Sequence, residues 1–443
     1  MKMEFTPQVS GSIHPALAIA GGQPVRTEPL PLEFPGIHSM NEEEIEAAVG
    51  VLKRRSLFRY YGIDAPREVE RFEAEFAEFL GVRWAVGVTS GTAALNAALS
   101  ALGVGPGQEI IVPAYLWVSV ISAVVNHGAI PVVANINDTF GLDPDKLEGH
   151  ITPRTRGIIA VHMSGAPADI PAIQSVARKK RLWLVEDCAQ CNGGSIQGQK
   201  VGTFGDVAIF SFQMNKNMTS GEGGCVVTND PQLFRRIFAC HDLGYARDDS
   251  GRLIFDNPDL RLWGLGVRLD ELRGAILRVQ LRKLPRTIAR MRQSKYRIRQ
   301  ALEKFSILQL RNIVDPAGDT GCFLITTYRD AATARWVNRA LRAEGIVTSD
   351  QGVSNVLMTD WGLHIYYNNV SLVRQASVDG QGFPWKLAEN EGLARNYSRG
   401  ACPAADSLFE RSIILAIPSC LTEKDEDDII LAFRKVLSSL PPV

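Results

Sequence analysis

Apolar and polar positions alternate in two distinct rhythms along the chain. Between residues 85 and 228, short unbroken apolar runs recur at 85–88, 110–113, 132–136, 157–163, 182–186, 207–212 and 225–228. Such Val, Ile and Leu runs lack a polar face, which is what strands buried on both sides of a parallel sheet require. The intervening stretches 92–102, 118–127 and 169–180 carry apolar residues at helical spacing. This strand and helix alternation predicts an α/β fold with a mainly parallel seven-stranded sheet, whose ligands sit at strand ends.

Upstream, Val69, Phe72, Phe76, Phe79 and Leu80 share one helical face, with Pro66 suited to a first turn and Gly81 to a stop. Residues 1–40, with Gly21, Gly22, Pro24, Pro29, Pro31 and Pro35, predict an irregular arm that packs on another part of the protein. After about residue 285 the texture changes. A basic helical stretch at 286–305 precedes strand character near Phe323–Tyr328, a helix at 332–344 and a last helix at 423–440. The expected organisation is an N-terminal arm (1–40), a large domain (41–285) and a smaller C-terminal α/β domain (286–443). The segment 359–401 is the least regular, and reads either as a substrate loop or as surface.

Composition narrows the functional classes. The chain has 443 residues, 45% of them apolar, enough for two cores. With 48 basic and 48 acidic residues it creates no field to gather nucleic acid or anionic membrane, so neither is an expected partner. The longest apolar stretch, Leu116 to Val125, falls short of the roughly 20 residues that span a bilayer, and reads as a core helix. The first residues show no secretory pattern, and seven scattered cysteines suit a reducing compartment, so a cytoplasmic location is expected. Cys188 and Cys191 match Cys-x-x-Cys without a second pair to complete a zinc site. Packing is their default reading, and no metal is expected.

The chemistry centres on Lys216. It lies in a Gly/Ser/Thr-rich turn between two apolar strands, where an uncompensated ammonium would be costly. Condensation with an aldehyde removes that charge. Asp187, at the end of another apolar run, offers a counter-charge for a protonated ring nitrogen, unless it is only a turn or cap acid. Its neighbour Glu186 points to the opposite face if the pleat persists. Thr89-Ser90-Gly91-Thr92 precedes a helix read as starting at Ala93, so Ser90, Gly91 and Thr92 could cradle a phosphate, although alone this is an ordinary turn and cap. Ser211 adds a hydroxyl, Gln190 a partner for a phenolic oxygen, and Trp117 either an aromatic lid or a core side chain. Together these residues point to pyridoxal phosphate.

The succession Val88-Thr89-Ser90-Gly91-Thr92-Ala93-Ala94-Leu95, Val112-Pro113-Ala114-Tyr115, Val185 to Gln190, Phe210-Ser211-Phe212, Lys216-Asn217 and Gly221-Glu222-Gly223-Gly224 resembles the DegT/DnrJ/EryC1/StrS aminotransferases. The resemblance covers roughly residues 40–285. It implies a fold type I transferase in which Lys216 binds pyridoxal 5'-phosphate covalently, with pyridoxamine 5'-phosphate as the intermediate form. It also implies Asp187 at the ring nitrogen, Gln190 near the phenolic oxygen, Ser90, Gly91, Thr92 and Ser211 at the phosphate, and Trp117 stacked on the ring. Family members are homodimers with active sites at the subunit interface. Their amino donor is glutamate or glutamine, and the acceptor a keto-sugar, keto-cyclitol or related carbonyl of antibiotic and other secondary metabolism.

One departure concerns the partner contact. The family often carries Gly-Tyr-Asn-Tyr-Arg where this chain has Gly264-Leu265-Gly266-Val267-Arg268, so the asparagine that reaches the partner's phosphate is replaced by Gly266. Two other classes stay open: a deoxysugar dehydratase on the same scaffold, in which histidine is expected at position 216, and a non-catalytic regulatory protein. Tyr60-Tyr61 and the stretch His364–Asn369 either shape the acceptor pocket or pack at an interface.

Overall fold

The computed structural model describes residues 17–440 except 249, 256–261, 350–352 and 394. Helices α1 (Glu42–Arg54) and α2 (Glu68–Leu80) precede β1 (Trp84–Val88), α3 (Gly91–Leu102), β2 (Glu109–Pro113), α4 (Val118–Asn126) and β3 (Ile130–Ala134). There follow β4 (Thr155–Val161), α5 (Ile170–Lys180), β5 (Trp183–Asp187) and a small ladder of β6 (Ser195–Ile196) with β7 (Gln199–Lys200). Strands β8 (Val207–Ser211) and β9 (Gly224–Thr228), helix α6 (Pro231–His241) and the short pair β10 (Ala246–Arg247) and β11 (Leu253–Ile254) come next.

All seven apolar runs form strands of one sheet, in the order β1-β9-β8-β5-β4-β2-β3. Only β9 runs against its neighbours. Strands β2, β8 and β9 are buried at every position, which is why their sequences lack polar alternation. On one face, Phe72 and Phe76 of α2 meet Phe210 and Phe212 with ring centroids 5.0 to 5.6 Å apart. Each such burial contributes about 1.5–3 kcal/mol, enough to dock the helix.

One helix start differs from the sequence expectation, and one apolar stretch is helical over only part of its length. Helix α3 begins at Gly91 rather than Ala93, because the Ser90 hydroxyl caps it by accepting from Ala93 N at 3.0 Å. Helix α4 begins at Val118, where the helical spacing of 118–127 places it, although the apolar stretch from Leu116 reads as one helix. Residues 114–116 are drawn instead into pairing with 364–366, where Leu116 N donates to His364 O (3.0 Å) and Tyr366 N to Ala114 O (3.2 Å). Trp117 is therefore the residue before the helix, not a core position on it.

The second half opens with α7, a single helix from Glu271 to Leu302 that runs through Pro285. Its buried stripe, including Leu277, Leu281, Leu284, Met291 and Ile298, packs on neighbouring helices and outweighs the roughly 3 kcal/mol cost of an interior proline. Strands β12 (Leu308–Leu310), β13 (Phe323–Tyr328) and β14 (Asn355–Leu357) flank α8 (Ala331–Ala343); α9 (Val370–Val373), α10 (Pro403–Arg411), β15 (Ser412–Ala416) and α11 (Glu423–Leu437) complete the chain. The four strands form an antiparallel sheet, β12-β13-β15-β14.

The arm packs against this smaller sheet's cluster. Leu17 and Leu30 are buried with Tyr328, Leu341 and Phe433. Arg26 pairs with Asp425 (2.7 Å) and Asp428 (3.0 Å). Farther along, Gly36 N donates to Lys216 O at 3.0 Å, so the arm ends at the lysine loop. The irregular segment after β14 is not simple surface, since Met358, Ile365, Tyr366, Leu372 and Tyr397 are buried with the core of the large sheet. No described helix is long and apolar enough to cross a membrane.

Candidate functional site

Parallel strands deliver their carboxyl ends to one edge of a sheet, and the ends of β1, β5 and β8 open here onto a cavity of about 1120 Å³. Ser90, Gly91, Thr92, Trp117, Asp187, Gln190, Ser211 and Lys216 all line it. Pairing of β5 with β8 places Asp187 beside Ile209, two residues before Ser211.

The two adjacent acids at the end of β5 divide as the pleat requires. Glu186 is fully buried away from the cavity, accepting from the backbone N–H of Gly202 (2.9 Å), Phe204 (2.7 Å) and Gly205 (2.7 Å) and from His162 Nε2 (3.1 Å). Asp187 faces the cavity, is 3% exposed and receives one hydrogen bond, from Ala189 N to Oδ1 at 2.9 Å. Burial raises its pKa above the ordinary aspartate value, while the Ala189 N–H and the Lys216 charge pull the other way. A cationic partner would restore its charge.

Lys216 sits at the tip of a folded-back loop. Phe212 N donates to Gly223 O (2.8 Å) and Met214 N to Gly221 O (3.0 Å), while Asn192 and Asn217 brace the base through Ser211 O and Asn192 O. Burial lowers the lysine's pKa below its ordinary value, with the Asp187 charge opposing. Lowered basicity is what a lysine needs to act as a nucleophile or base near neutral pH.

An anion corner lies at the start of α3. No hydrogen bond among the described residues uses the N–H of Gly91 or Thr92, and the Thr92 hydroxyl meets that of Ser119 at 2.8 Å. Two glycines make this corner. A Cβ at Gly91 would lie 2.8 Å from Ser211 Cβ, and one at Gly224 only 2.4 Å from Ser90 O. Free N–H donors at a helix start, with hydroxyls beside them, suit a phosphate.

The aromatic wall is where sequence reading fell short. Trp117 is 42% exposed and its ring lies 4.7 Å from that of His364, which in turn stacks on Trp361 at 4.8 Å and 23°. Phe323 continues the series 5.7 Å from Trp361. Trp361 and Phe323 carry no local motif; only the aromatic richness around His364 marked that segment. Tyr60 and Tyr61 stand outside the cavity lining, the Tyr60 hydroxyl bonding His241 Nε2 at 2.7 Å. Gly266 is left-handed, with nothing within 4 Å of a Cβ.

Cys188 and Cys191 are both buried, and burial raises their thiols well above the ordinary range. Cys188 groups with His162 and Glu186, yet His162 Nδ1 already accepts from Ala168 N at 3.0 Å and Glu186 is occupied by backbone donors. These contacts favour packing over ligation.

The DegT/DnrJ/EryC1/StrS aminotransferase family matches residues 38–352. An L-glutamine:2-deoxy-scyllo-inosose aminotransferase from Streptomyces kanamyceticus is 39% identical over 280 residues, 61% of this chain and 64% of that protein. That match spans less than two thirds of the relative's length. A protein of the same activity name from Streptomyces lividus is 31% identical over 434 residues, 95% of this chain and 97% of that protein. The crystal structure of 3-amino-5-hydroxybenzoic acid synthase superposes with a TM-score of 0.73 at 26% identity, covering 93% of this chain and 98% of that one. By its family match over residues 38–352, the chain belongs to the DegT/DnrJ/EryC1/StrS aminotransferase family.

Proposed function

We propose that the protein is a pyridoxal phosphate-dependent aminotransferase. It moves an amino group from glutamine or glutamate to the carbonyl of a keto-cyclitol, keto-sugar or related natural-product intermediate, in two half-reactions. The observation that carries this reading is the convergence of Lys216, Asp187 and the free N–H groups at the start of α3 on one cavity. The donor set fits the cofactor's three handles: an amine for the aldehyde, a buried acid for the ring nitrogen, and amide donors with hydroxyls for the phosphate. When bound, the cofactor supplies an electron sink.

The chain's own residues do the rest. The Asp187 carboxylate keeps the ring nitrogen protonated. Lys216 Nζ, its basicity lowered by burial, removes the proton from the amino donor's α-carbon. Trp117, which lines the cavity, would cover one face of the ring. The names of the relatives from Streptomyces support glutamine as donor and a keto-cyclitol as acceptor.

Exposed apolar residues support a homodimer with the site at the interface. Leu57, Tyr61, Ile63, Trp263 and Leu265 are all exposed, Trp263 at 95%. Gly266 leaves the phosphate contact from the partner to another group. Seven unpaired cysteines fit a cytoplasmic setting.

The test is direct. Purified protein with pyridoxal phosphate should show a visible band that glutamine or glutamate bleaches in a single turnover, and Lys216→Ala should show neither. Wild type that binds the cofactor without any half-reaction would remove the transaminase reading.

A further inference from the structure

His364 lies far along the chain from the residues assigned to the cofactor, yet it touches two of them. Its ring packs between Trp117 and Trp361, and its backbone is tied to residue 116. The imidazole is therefore held, and its two nitrogens have defined roles. Nδ1 lies 2.9 Å from the carbonyl oxygen of Trp361, which can only accept, so Nδ1 carries the proton. In the neutral ring Nε2 is then an acceptor, and Gln190 Nε2 donates to it at 3.2 Å. Burial keeps the ring neutral by pushing His364 down to about 4, and the Lys216 charge acts in the same direction.

Gln190 is held at its other end as well. Its Oε1 accepts from Ser164 N at 3.0 Å. Ser164 is buried and left-handed, with φ at 55°, a conformation that a residue with a side chain seldom adopts. Its hydroxyl shares a 2.6 Å hydrogen bond with that of buried Tyr115. The chain of contacts thus runs Tyr115, Ser164, Gln190, His364, Trp361. Flipping the Gln190 amide would set its oxygen against the His364 lone pair and its NH2 against the Ser164 N–H, breaking both bonds. With Oε1 turned to Ser164 and one N–H to His364, Gln190 still has its second N–H to offer the cavity as a donor.

Resting on the reading of the cavity as a pyridoxal phosphate site, we propose that His364 is a positioning residue, whose neutral imidazole holds the Gln190 amide so that a donor meets the cofactor's phenolic oxygen. It acts through Gln190 and not on substrate.

The experiment is a visible pH titration of the holoenzyme, which reads the loss of the proton from the Lys216 nitrogen joined to the cofactor. A donor at the phenolic oxygen stabilises the deprotonated form, so Gln190→Ala raises the midpoint by about 1 on the pH scale. His364→Phe keeps the aromatic packing but has no acceptor, and should raise the midpoint by at least half as much. The Gln190→Ala/His364→Phe double variant should shift no further than Gln190→Ala alone. His364→Gln, which places an amide oxygen near the lost Nε2, should stay near wild type.

The opposite pattern, with Phe like wild type and Gln shifted, would assign His364 to packing and overturn the proposal, as would additive shifts in the double variant. A wild type with no visible band would overturn the cofactor reading and this one with it. A wild-type band with an unchanged midpoint in His364→Phe would overturn this one alone.

Discussion

The carboxyl edge of the large sheet and the segment from residue 360 to 364 line the same cavity, but different kinds of contact hold them. At the sheet edge most constraints are local, although Gly36 N and Asn192 also hold the Lys216 loop. Ala189 N holds Asp187 from two residues away, Ser90 caps its own helix, and the Lys216 loop is closed by hydrogen bonds within residues 212–223. In the later segment they are remote. His364 meets Gln190 across 174 residues of chain and is zippered to residues 114–116. The edge therefore carries polar groups whose placement survives changes elsewhere, whereas the segment carries shape and orientation that depend on the whole fold. Damage to the cavity-facing groups of the edge should remove chemistry and spare stability; damage to the segment should move both together.

Lys216→Ala should break the contrast most sharply. Loss of the group that binds the cofactor and moves the proton should lower amino transfer by about 10^4-fold or more, with an unchanged urea midpoint. Loss of fold in this variant would count against a local constraint.

The adjacent acids give the next largest effect. Asp187→Asn should reduce the half-reaction by about 10^2- to 10^4-fold with little change in stability. Glu186→Gln should instead cost about 2–3 kcal/mol in urea unfolding, because it weakens charge-assisted hydrogen bonds from three backbone N–H groups and His162. If the stability loss fell on Asp187→Asn and the kinetic loss on Glu186→Gln, the division of the two faces would be wrong.

Gly91→Ala sharpens the comparison at the anion corner. Its Cβ would press on Ser211, an overpacking of about 1–3 kcal/mol that should weaken cofactor phosphate binding by roughly 5- to 150-fold. Equilibrium dialysis of the cofactor measures it, and undiminished affinity would place the phosphate elsewhere.

The smallest effect is a pH dependence in the segment. In the unfolded chain a histidine titrates near 6.5, whereas folded His364 titrates at about 4. Between those values the unfolded state binds the extra proton, so the stability of cofactor-free protein is fully present above 6.5 and falls as the pH drops toward 4. Partial solvent access to the ring reduces the effect to about 2 kcal/mol. His364→Phe should lose that part of the slope in urea unfolding across the window, and an identical slope in the two proteins would show that the ring is not buried in its neutral form.

Much of the sheet edge was legible because its information is local. An apolar run long enough to cross a sheet, followed by Asp187 or by the Ser211–Lys216 turn, already specifies which end of a strand carries the group. Pleat alternation likewise separated Glu186 from Asp187 without knowledge of any neighbour. The chain just before α4 and the course of α7 were less legible. Leu116 is compatible with a helix until residues 364–366 compete for its backbone, and Pro285 signals a break that packing along α7 overrides.

By itself, then, the amino-acid order determined the strand and helix alternation, the turn that presents Lys216, the acid at 187 and the Ser90-Gly91 start of α3. Each depends on side-chain period, capping or backbone freedom within a few residues. Only the tertiary structure decided that Trp361 and His364 complete the wall, that Ser164 and His364 fix the Gln190 amide, and that the arm ends at the lysine loop. Those choices arise when surfaces distant in sequence are packed together, because hydrogen bonds and stacking between them exist only after the core has brought their backbones into contact.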